Sequence, residues 1–369
     1  MLGATMLDAI DPLVDSLWLR PTGLLTGQAA QAARAQGVAL PLAGGASAFA
    51  VVEVIARQAS GIASALAAVP RLRSWAARLD AGARARIDAQ LARASEQRCP
   101  WAGLALDRPL IMGIVNATPD SFYTAAGGDP QAAIDLGHAM LEAGADLLDI
   151  GAESTRPGAA PVSEEEELRR LDPVVHALAA RGAVLSIDTR HARVMEAALG
   201  WGARAINDVS ALEGDGSLEV VARHGAPVVL MHKRGEPETM QREPHYALAS
   251  IDIADYLAAR IKICEAAGIP RHRIVIDPGI GFGKTVAHNL EILARLSLFH
   301  TLGCGVLIGL SRKSTIGRLS GNAPVEQRLP GSLAGALQAL RQGVQILRVH
   351  DVAETKQAVA VWQAIANGA

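Results

Sequence analysis

From Leu110 to the C-terminus, short apolar runs alternate with longer stretches of helical character, and each run ends in a polar residue or a glycine. Continuous apolar strands separated by helices are typical of a parallel sheet that is buried on both faces. Eight such repeats predict closure of the sheet into a (β/α)₈ TIM barrel of the α/β class. The predicted strands cover residues 110–116, 146–151, 183–189, 205–209, 227–232, 274–279, 305–311 and 345–351.

The predicted helices carry start and stop signals that agree with this alternation. Ser163 followed by Glu166 predicts a capping box, and the acidic run 164–167 lies where a helix N-terminus favours negative charge. We interpret that run as structural. Glycines between a helix and the next strand predict the helix ends. They are Gly144, Gly202, Gly225, Gly268 and Gly343.

Residues 1–98 break the pattern and predict an N-terminal extension. The segment is rich in alanine, contains a Pro/Gly-rich stretch at 41–45 and shows helical periodicity over 80–97. We expect a mainly helical or small α/β extension before a catalytic barrel at 105–369. In the linker, Trp101 either connects the two parts or covers the bottom of the barrel. Because all predicted barrel strands follow the extension, a chain shortened to its end should fold and bind substrate.

Composition narrows the class of protein. Of 369 residues, 50% are hydrophobic and 3% are aromatic, so the core must be largely aliphatic. The formal net charge of −2 gives no field for steering onto nucleic acid, and the N-terminus lacks the basic region of a secretory signal. Cys99, Cys264 and Cys304 are too far apart to indicate a zinc site or a disulfide framework. We expect a cytoplasmic protein that binds small molecules and neither nucleic acid nor membrane.

The active site of such a barrel lies at the C-terminal ends of its strands, so the polar residues that finish the apolar runs are the candidates. Asp188 and Asp277 each end a strongly apolar run, where an unpaired carboxylate is costly to bury. A salt bridge or a loop cap is the alternative for either one. With Asn207 and Lys313 on the same rim, a polar pocket for a flat heterocycle with amide and amino edges is the better explanation.

Arg348 and His350 point to the same side of the last predicted strand because side chains alternate along a strand. With the loop residue Arg156 they form a cationic group suited to phosphate. Surface salt bridges are the alternative. No metal-ligand cluster and no Ser-His-Asp arrangement is visible, so we expect any metal to enter bound to a phosphate.

The glycine-rich segment 279–285 has the wrong spacing for a Walker A motif, which requires glycine at position 278, where this chain has proline. The dinucleotide-binding fingerprint fails as well, because position 284 is lysine. We interpret the glycines as a close turn beside a ligand, with Phe282 as an apolar wall. His232 receives no role.

The stretch from Leu110 to the C-terminus resembles dihydropteroate synthase along its whole length. Seven motifs carry the resemblance, in the order of the family. They are MGIVNATPDSF (112–122), ESTRPGA (153–159), SIDT (186–189), INDV (206–209), DPGIGFGK (277–284), GLSRKS (309–314) and RVHDV (348–352).

The resemblance implies a role for each matching residue. Those implied for the pterin ring are Asp188, Asn207, Asp277, Lys313 and Arg348. Those implied for the diphosphate are Asn116, Arg348 and His350, with Asn116 as the ligand of Mg²⁺. Those implied for p-aminobenzoate are Phe122, Thr155, Arg156, Pro157, Phe282 and Ser314.

The implied enzyme is a transferase of folate biosynthesis, a homodimer that uses Mg²⁺. It condenses 6-hydroxymethyl-7,8-dihydropterin diphosphate with p-aminobenzoate, releasing diphosphate without a covalent enzyme intermediate. Catalysis would be positioning and electrostatics. The residues implied for it are Asp277, Lys313, Arg348 and His350.

Two departures from the family pattern concern the loops. The first loop reads Tyr123-Thr124-Ala125-Ala126 where the family commonly has an acid, and Ala152 replaces a glycine before Glu153. These changes affect the expected handling of p-aminobenzoate and leave the pterin residues intact. Two alternatives stay open: a corrinoid-dependent pterin methyltransferase, and a non-catalytic paralogue that binds pterins.

Overall fold

The structure, a computed structural model, describes residues 6–118, 130–153, 162–235, 240 and 243–368. Within them, an N-terminal α/β unit precedes a closed barrel of parallel strands with helices between them. The barrel is the TIM barrel that the alternation predicts. Of the two forms expected for the extension, the structure has the small α/β one.

The N-terminal unit is built on an antiparallel sheet. Its central strand, β3, pairs with β1 along one edge and with β2 and β4 along the other. The strands are β1 (Leu17–Leu25), β2 (Leu40–Pro41), β3 (Ala48–Gln58) and β4 (Gly61–Ala68). The helices are α1 (Gly27–Ala35), α2 (Val69–Ala76) and α3 (Ala81–Ser95), with a 3-10 turn at Leu7–Ala9. The helical periodicity over 80–97 is thus confirmed as α3, which Asp80 caps by accepting from two backbone N–H groups.

The two faces of this sheet are buried against different partners. Leu19 and Val54 belong to a core shared with α2 and α3, whereas Ile55 and the partly buried Trp18 pack with the core of the barrel. Side chains on neighbouring positions of a strand point to opposite faces, which explains the division. The edge of β1 is occupied by the buried side chain of Gln90. Its Oε1 accepts from the N–H of Leu19 at 3.0 Å, and its Nε2 donates to a carbonyl of the same strand at 2.9 Å.

Polar contacts fix the extension to the flank and lower end of the barrel. The indole N–H of Trp18 donates to Asp255 at 2.8 Å, and the hydroxyl of Ser297 donates to the carbonyl of Pro21 at 2.6 Å. The buried guanidinium of Arg98 donates to two barrel carbonyls at 2.9 and 3.0 Å. The extension is therefore an integral part of the folded chain.

All eight predicted barrel strands are present, and seven of them are one to three residues shorter than predicted. They are β5 (Leu110–Asn116), β6 (Leu147–Gly151), β7 (Leu185–Asp188), β8 (Ala205–Asp208), β9 (Val228–Met231), β10 (Ile274–Asp277), β11 (Gly305–Ile308) and β12 (Ile346–Val349). Parallel pairing runs in sequence order from β5 to β12, and β12 closes the barrel by pairing with β5. All eight C-terminal ends therefore meet at one rim.

The lower half of the barrel interior is filled with apolar side chains. Leu147, Val275 and Ile346 lie in one cluster there with Trp101, which closes the bottom and donates to the carbonyl of Arg273 at 3.0 Å. Of its two expected positions, Trp101 thus takes the one under the barrel. The packed lower half leaves the upper rim as the place for a ligand.

Helices separate the strands, and the predicted glycines end them with positive φ angles. The helices are α4 (Pro130–Glu142), α5 (Glu164–Ala179), α6 (Ala192–Gly200), α7 (Ser217–His224), α8 (Ala249–Ala266), α9 (Val286–Ala294), α10 (Ser314–Leu319), α11 (Leu329–Arg341) and α12 (Val352–Asn367), with 3-10 turns at Arg271–Arg273, Leu296–Leu302 and Val325–Gln327. Among the described helices, none is long and apolar enough to cross a membrane.

The predicted capping box at the start of α5 is only half formed. Ser163 accepts from the N–H of Glu166 at 3.3 Å, but the Glu166 carboxylate is held by Arg169 and Arg170 at 2.7 Å and does not reach back. Two neighbouring guanidinium groups are stronger partners than a single backbone N–H. This part of the prediction was wrong.

Candidate active site

Side chains alternate between the inside and the outside of the barrel along each strand. This alternation fills the bottom of the barrel and also brings the predicted pocket residues together. Asn207, Asp277 and Arg348 each lie two positions after a side chain of the lower interior cluster, namely Ala205, Val275 and Ile346. Residues two apart on a strand share a face. These side chains therefore form the next layer up, inside the barrel and at its C-terminal end. Asp188 ends β7 in the same layer, where it meets Arg348.

Asp149 joins this layer, although no role was predicted for it from the sequence. It is fully buried, and its Oδ2 accepts from Asn207 Nδ2 at 2.9 Å and from Arg348 Nε at 2.6 Å. A carboxylate can only accept, so the amide nitrogen of Asn207 is committed to Asp149 and its oxygen is left for a ligand. Its spacing in the sequence could have indicated this position, because Asp149 also lies two residues after an interior side chain, Leu147.

Asp188 is the second carboxylate on Arg348, which donates from Nη2 to Asp188 Oδ2 at 2.8 Å. Burial raises the pKa of Asp188 to about 7, against the opposing attraction of Arg348, and the nearby charge of Asp149 adds to the rise. The other oxygen, Oδ1, is buried and has no hydrogen-bond partner in the described part of the chain. A buried acceptor without a partner costs free energy. This oxygen is therefore suited to an N–H donor from a ligand.

Asp277 and Lys313 form the other wall of the pocket. Asp277 Oδ1 accepts from the N–H of Gly279 at 2.7 Å, and burial raises the pKa of this carboxyl group. Lys313 Nζ donates to the carbonyl of Ile280 and lies 4.6 Å from the ring centroid of Phe282. Burial lowers the pKa of Lys313 to about 8, although Asp277 opposes this. The wall thus offers the Asp277 carboxyl group as an acceptor and the Lys313 nitrogen as a donor above an aromatic ring.

The remaining predicted residues within the described ranges lie around this pocket. Asn116 ends β5 at the rim and is half-buried. His350 follows β12 two residues after Arg348, and its Nδ1 lies 3.0 Å from the hydroxyl of Ser311. Ser314 is exposed at the start of α10. Phe122, Thr155, Arg156 and Pro157 lie outside the described residues, as does the altered segment 123–126.

Glu153 immediately precedes one of the undescribed segments, and its carboxylate accepts from the N–H of Val162, which immediately follows that segment, at 3.2 Å. Arg190 pairs with both oxygens of Glu153 at 3.2 Å. Glu153 therefore ties together the two ends of the β6–α5 connection. From the sequence, Glu153 was recognised only as part of a motif, with no role of its own.

No group of three or more His, Cys, Asp or Glu side chains within the described ranges is arranged to hold a metal ion. The donor that the sequence offers, Asn116, is a neutral amide at the rim. One such oxygen suits a hard cation whose other ligands come from a phosphate and from water.

Comparison with known proteins gives consistent matches over the barrel. The family model described as "Pterin binding enzyme" matches residues 112–350. Dihydropteroate synthase of Escherichia coli (strain K12) is 48% identical over 265 residues, which is 71% of this chain and 93% of that protein.

Two solved structures illustrate the same match. The Yersinia pestis dihydropteroate synthase with a sulfonamide drug superimposes with a TM-score of 0.70 at 45% identity, covering 74% of this chain and all of that one. The Xanthomonas albilineans dihydropteroate synthase with 4-aminobenzoic acid gives a TM-score of 0.68 at 50% identity, covering 72% of this chain and 96% of that one.

Proposed function

The chain belongs to the dihydropteroate synthases, a family of pterin-binding enzymes, and on this basis we propose how its residues divide the reaction between them. It is a transferase of folate biosynthesis that condenses 6-hydroxymethyl-7,8-dihydropterin diphosphate with p-aminobenzoate, giving 7,8-dihydropteroate and diphosphate. Neither a corrinoid-dependent methyltransferase nor a non-catalytic paralogue is favoured by these relatives.

The main support for the proposed pterin site is that several buried hydrogen-bond acceptors and one lysine meet at the top of the barrel. The carboxylates of Asp188 and Asp277 and the amide oxygen of Asn207 can accept N–H donors from the amino group and ring of a pterin. Lys313 can donate to an oxygen or nitrogen of the same ring. Arg348 holds the Asp188 carboxylate in place. We propose these five residues as the pterin site.

Catalysis in this proposal is positioning and electrostatic stabilisation. The arylamine nitrogen of p-aminobenzoate attacks the pterin methylene carbon, the bond from that carbon to the diphosphate oxygen breaks, and the amine proton is released. When ionised, the Asp277 carboxylate would stabilise positive charge that grows on the pterin as the diphosphate leaves. Lys313, which donates to the Ile280 carbonyl, would hold the pterin ring next to Asp277.

For the diphosphate we propose Asn116, Arg348 and His350. Nε and Nη2 of Arg348 are engaged by carboxylates in the described part of the chain, which favours Nη1 for this contact. We propose further that Asn116 holds Mg²⁺ together with diphosphate oxygens. Bound there, the ion would neutralise charge on the leaving group.

For p-aminobenzoate we propose Phe282 and Ser314 from the described residues, with Phe122, Thr155, Arg156 and Pro157 completing the site. Phe282 is half-buried beside Lys313 and offers an aromatic face. Stacking of one aromatic ring on another is favourable beyond the area that it buries.

We also propose a cytoplasmic homodimer that binds neither nucleic acid nor membrane. An apolar groove between α9, α10 and α11 supports the dimer. It is lined by Leu290, Leu293, Leu310 and Leu319, and two of these, Leu290 and Leu319, are 44% and 55% exposed. A contiguous apolar surface commonly marks a protein interface. The reduced cysteines, of which Cys99 is exposed, suit a reducing compartment.

Complementation of a strain that lacks its own dihydropteroate synthase tests the function directly. We expect growth without added folate-pathway products. An Asp277→Asn variant serves as the matched control and should not support growth. Failure of the wild-type chain despite soluble expression would contradict the proposal and favour the non-catalytic paralogue.

A further inference from the structure

Lys284 is a buried lysine that the pterin site described above does not use. It ends the DPGIGFGK motif, and its residue is 2% exposed. Buried lysines are rare unless their nitrogen is fully hydrogen-bonded. Its partners therefore indicate what it does.

Three groups surround the Lys284 nitrogen, and they come from two different loops. Nζ lies 2.9 Å from the carbonyl oxygen of Phe282, 3.3 Å from the carbonyl oxygen of His232 and 2.9 Å from His232 Nδ1. Both carbonyls can only accept, so Lys284 must donate to each of them. Burial lowers the pKa of His232 to about 2, so this imidazole is neutral. The nitrogen thus connects the residue after β9 to the glycine-rich loop after β10.

The two loops are packed against each other without room for a side chain. A Cβ added at Gly279 would lie 2.0 Å from the His232 carbonyl oxygen, and one added at Gly283 would lie 2.2 Å from the Arg234 carbonyl oxygen. Both glycines have positive φ angles, of 69° and 65°. Tyr246 adds a hydrogen bond from its hydroxyl to the Gly283 carbonyl at 2.8 Å. The position of the loop after β10 therefore depends on its contact with the loop after β9.

The loop that Lys284 holds carries three contacts of the site. The N–H of Gly279 donates to Asp277, the carbonyl of Ile280 accepts from Lys313, and the ring of Phe282 lies under the Lys313 nitrogen. A shift of this loop would move both Lys313 and Phe282. Misplacement by about 1 Å can cost an enzyme roughly 100-fold in rate.

We propose that Lys284, with His232 as its partner, is a positioning residue of the reaction, which fixes the loop after β10 so that Lys313 and Phe282 meet the two substrates. It touches neither substrate and acts through the Phe282 carbonyl and the His232 side chain. The inference rests on the pterin and p-aminobenzoate sites proposed above.

The central test is Lys284→Met, which keeps the length of the side chain and removes its donors. Lys262→Met, at an exposed lysine on α8, is the matched control. In the full-length protein we expect Lys284→Met to lower kcat/KM for p-aminobenzoate by about 100-fold. Its Kd for the pterin alcohol, measured by calorimetry, should rise about tenfold, and the control should equal wild type.

A purely structural role would lower the melting temperature and the fraction of active enzyme, but it would leave KM and Kd per active site unchanged. A folded Lys284→Met protein with wild-type KM and Kd would therefore overturn the proposal. If Lys284→Met does not fold, His232→Asn and His232→Leu provide the same test. Asparagine keeps both a donor and an acceptor near the imidazole position and should retain near wild-type KM, whereas leucine should raise it. Equal KM values for those two variants would also overturn the proposal.

Asp277→Asn in the same assays separates this inference from the site assignment. If Asp277→Asn loses pterin binding and Lys284→Met keeps it unchanged, the positioning role is rejected and the site assignment stands. Unchanged pterin binding in Asp277→Asn would reject the site on which the role rests.

Discussion

Arg348 donates from Nε to Asp149 and from Nη2 to Asp188, so one guanidinium holds two buried carboxylates at the top of the barrel. When Asp188 is ionised, one positive charge lies between two negative ones, and the group carries excess negative charge. Because that charge is buried, it favours a ligand edge rich in N–H donors. A pterin has such an edge.

The charge states of this site predict a bell-shaped pH dependence of pterin binding. Asp188 accepts N–H donors best when ionised, so affinity should rise as the pH increases through its pKa of about 7. Lys313 donates best when protonated, so affinity should fall as the pH rises above its pKa of about 8. Calorimetry with the pterin alcohol from pH 5.5 to 9.5 measures both limbs. Asp188→Asn should flatten the acidic limb and Lys313→Met the alkaline limb; an unchanged profile in either would contradict the assignment of that limb.

Asp277→Asn should abolish turnover while the fold is retained. An amide cannot supply the charge-assisted acceptor, which contributes about 1.5–3 kcal/mol per hydrogen bond, so pterin affinity should fall at least about tenfold. Circular dichroism checks the fold, and calorimetry measures the affinity. Unchanged binding of pterin diphosphate by the folded variant would show that Asp277 lies outside the site.

His350→Ala should distinguish the contribution of the diphosphate to binding from that of the pterin ring. We expect it to weaken binding of the pterin diphosphate and to leave binding of the pterin alcohol unchanged, because only the former carries the anion. Arg348→Ala should weaken both ligands, because it also releases the carboxylates of Asp149 and Asp188. Competition binding with the two ligands measures these ratios. Equal losses for both ligands in His350→Ala would assign that residue to the ring or the fold.

A chain that begins at Arg98 tests the expectation that the extension is dispensable. The active-site residues all follow this point, so pterin affinity should stay within about twofold of wild type. The shortened chain should be less stable, because truncation exposes the barrel surface that Trp18 and Ile55 cover. We expect a melting temperature lower by several degrees, at about 2–4 °C per kcal/mol for a domain of this size. Loss of pterin binding in a shortened chain that remains folded would show that the extension supports the site.

Leu319→Glu tests the proposed dimer. Leu319 is 55% exposed beside the apolar groove, and a buried unpaired carboxylate at an interface is strongly unfavourable. Sedimentation should give the mass of two chains for wild type and of one chain for the variant. An exposed leucine outside the groove, Leu13, provides the control substitution Leu13→Glu, which should remain a dimer. A wild-type monomer would rule out the proposed assembly.

The barrel could be predicted because its strands are buried on both faces and therefore read as continuous apolar runs. The strand β3 is also buried along most of its length, but it lies in an alanine-rich segment with no repeating pattern, so the individual strands of its sheet and their pairing were not predicted. The role of Asp149 could not be predicted for another reason. Its partners Asn207 and Arg348 are 58 and 199 residues away, and only the closed barrel brings them together. The capping box at Ser163 was predicted from a local pattern, but the pairing of Glu166 with two arginines overrides it.

The side chain of Gln90 has a consequence for how the N-terminal sheet behaves in a crowded solution. The outer edge of β1 would otherwise present a free backbone ladder, which is a template for strands from other molecules and hence for aggregation. Gln90 occupies a donor and an acceptor of that ladder from within α3, much as a neighbouring strand would. A single glutamine thus takes the place of a further strand at the beginning of β1, and it blocks intermolecular β-pairing at that part of the edge.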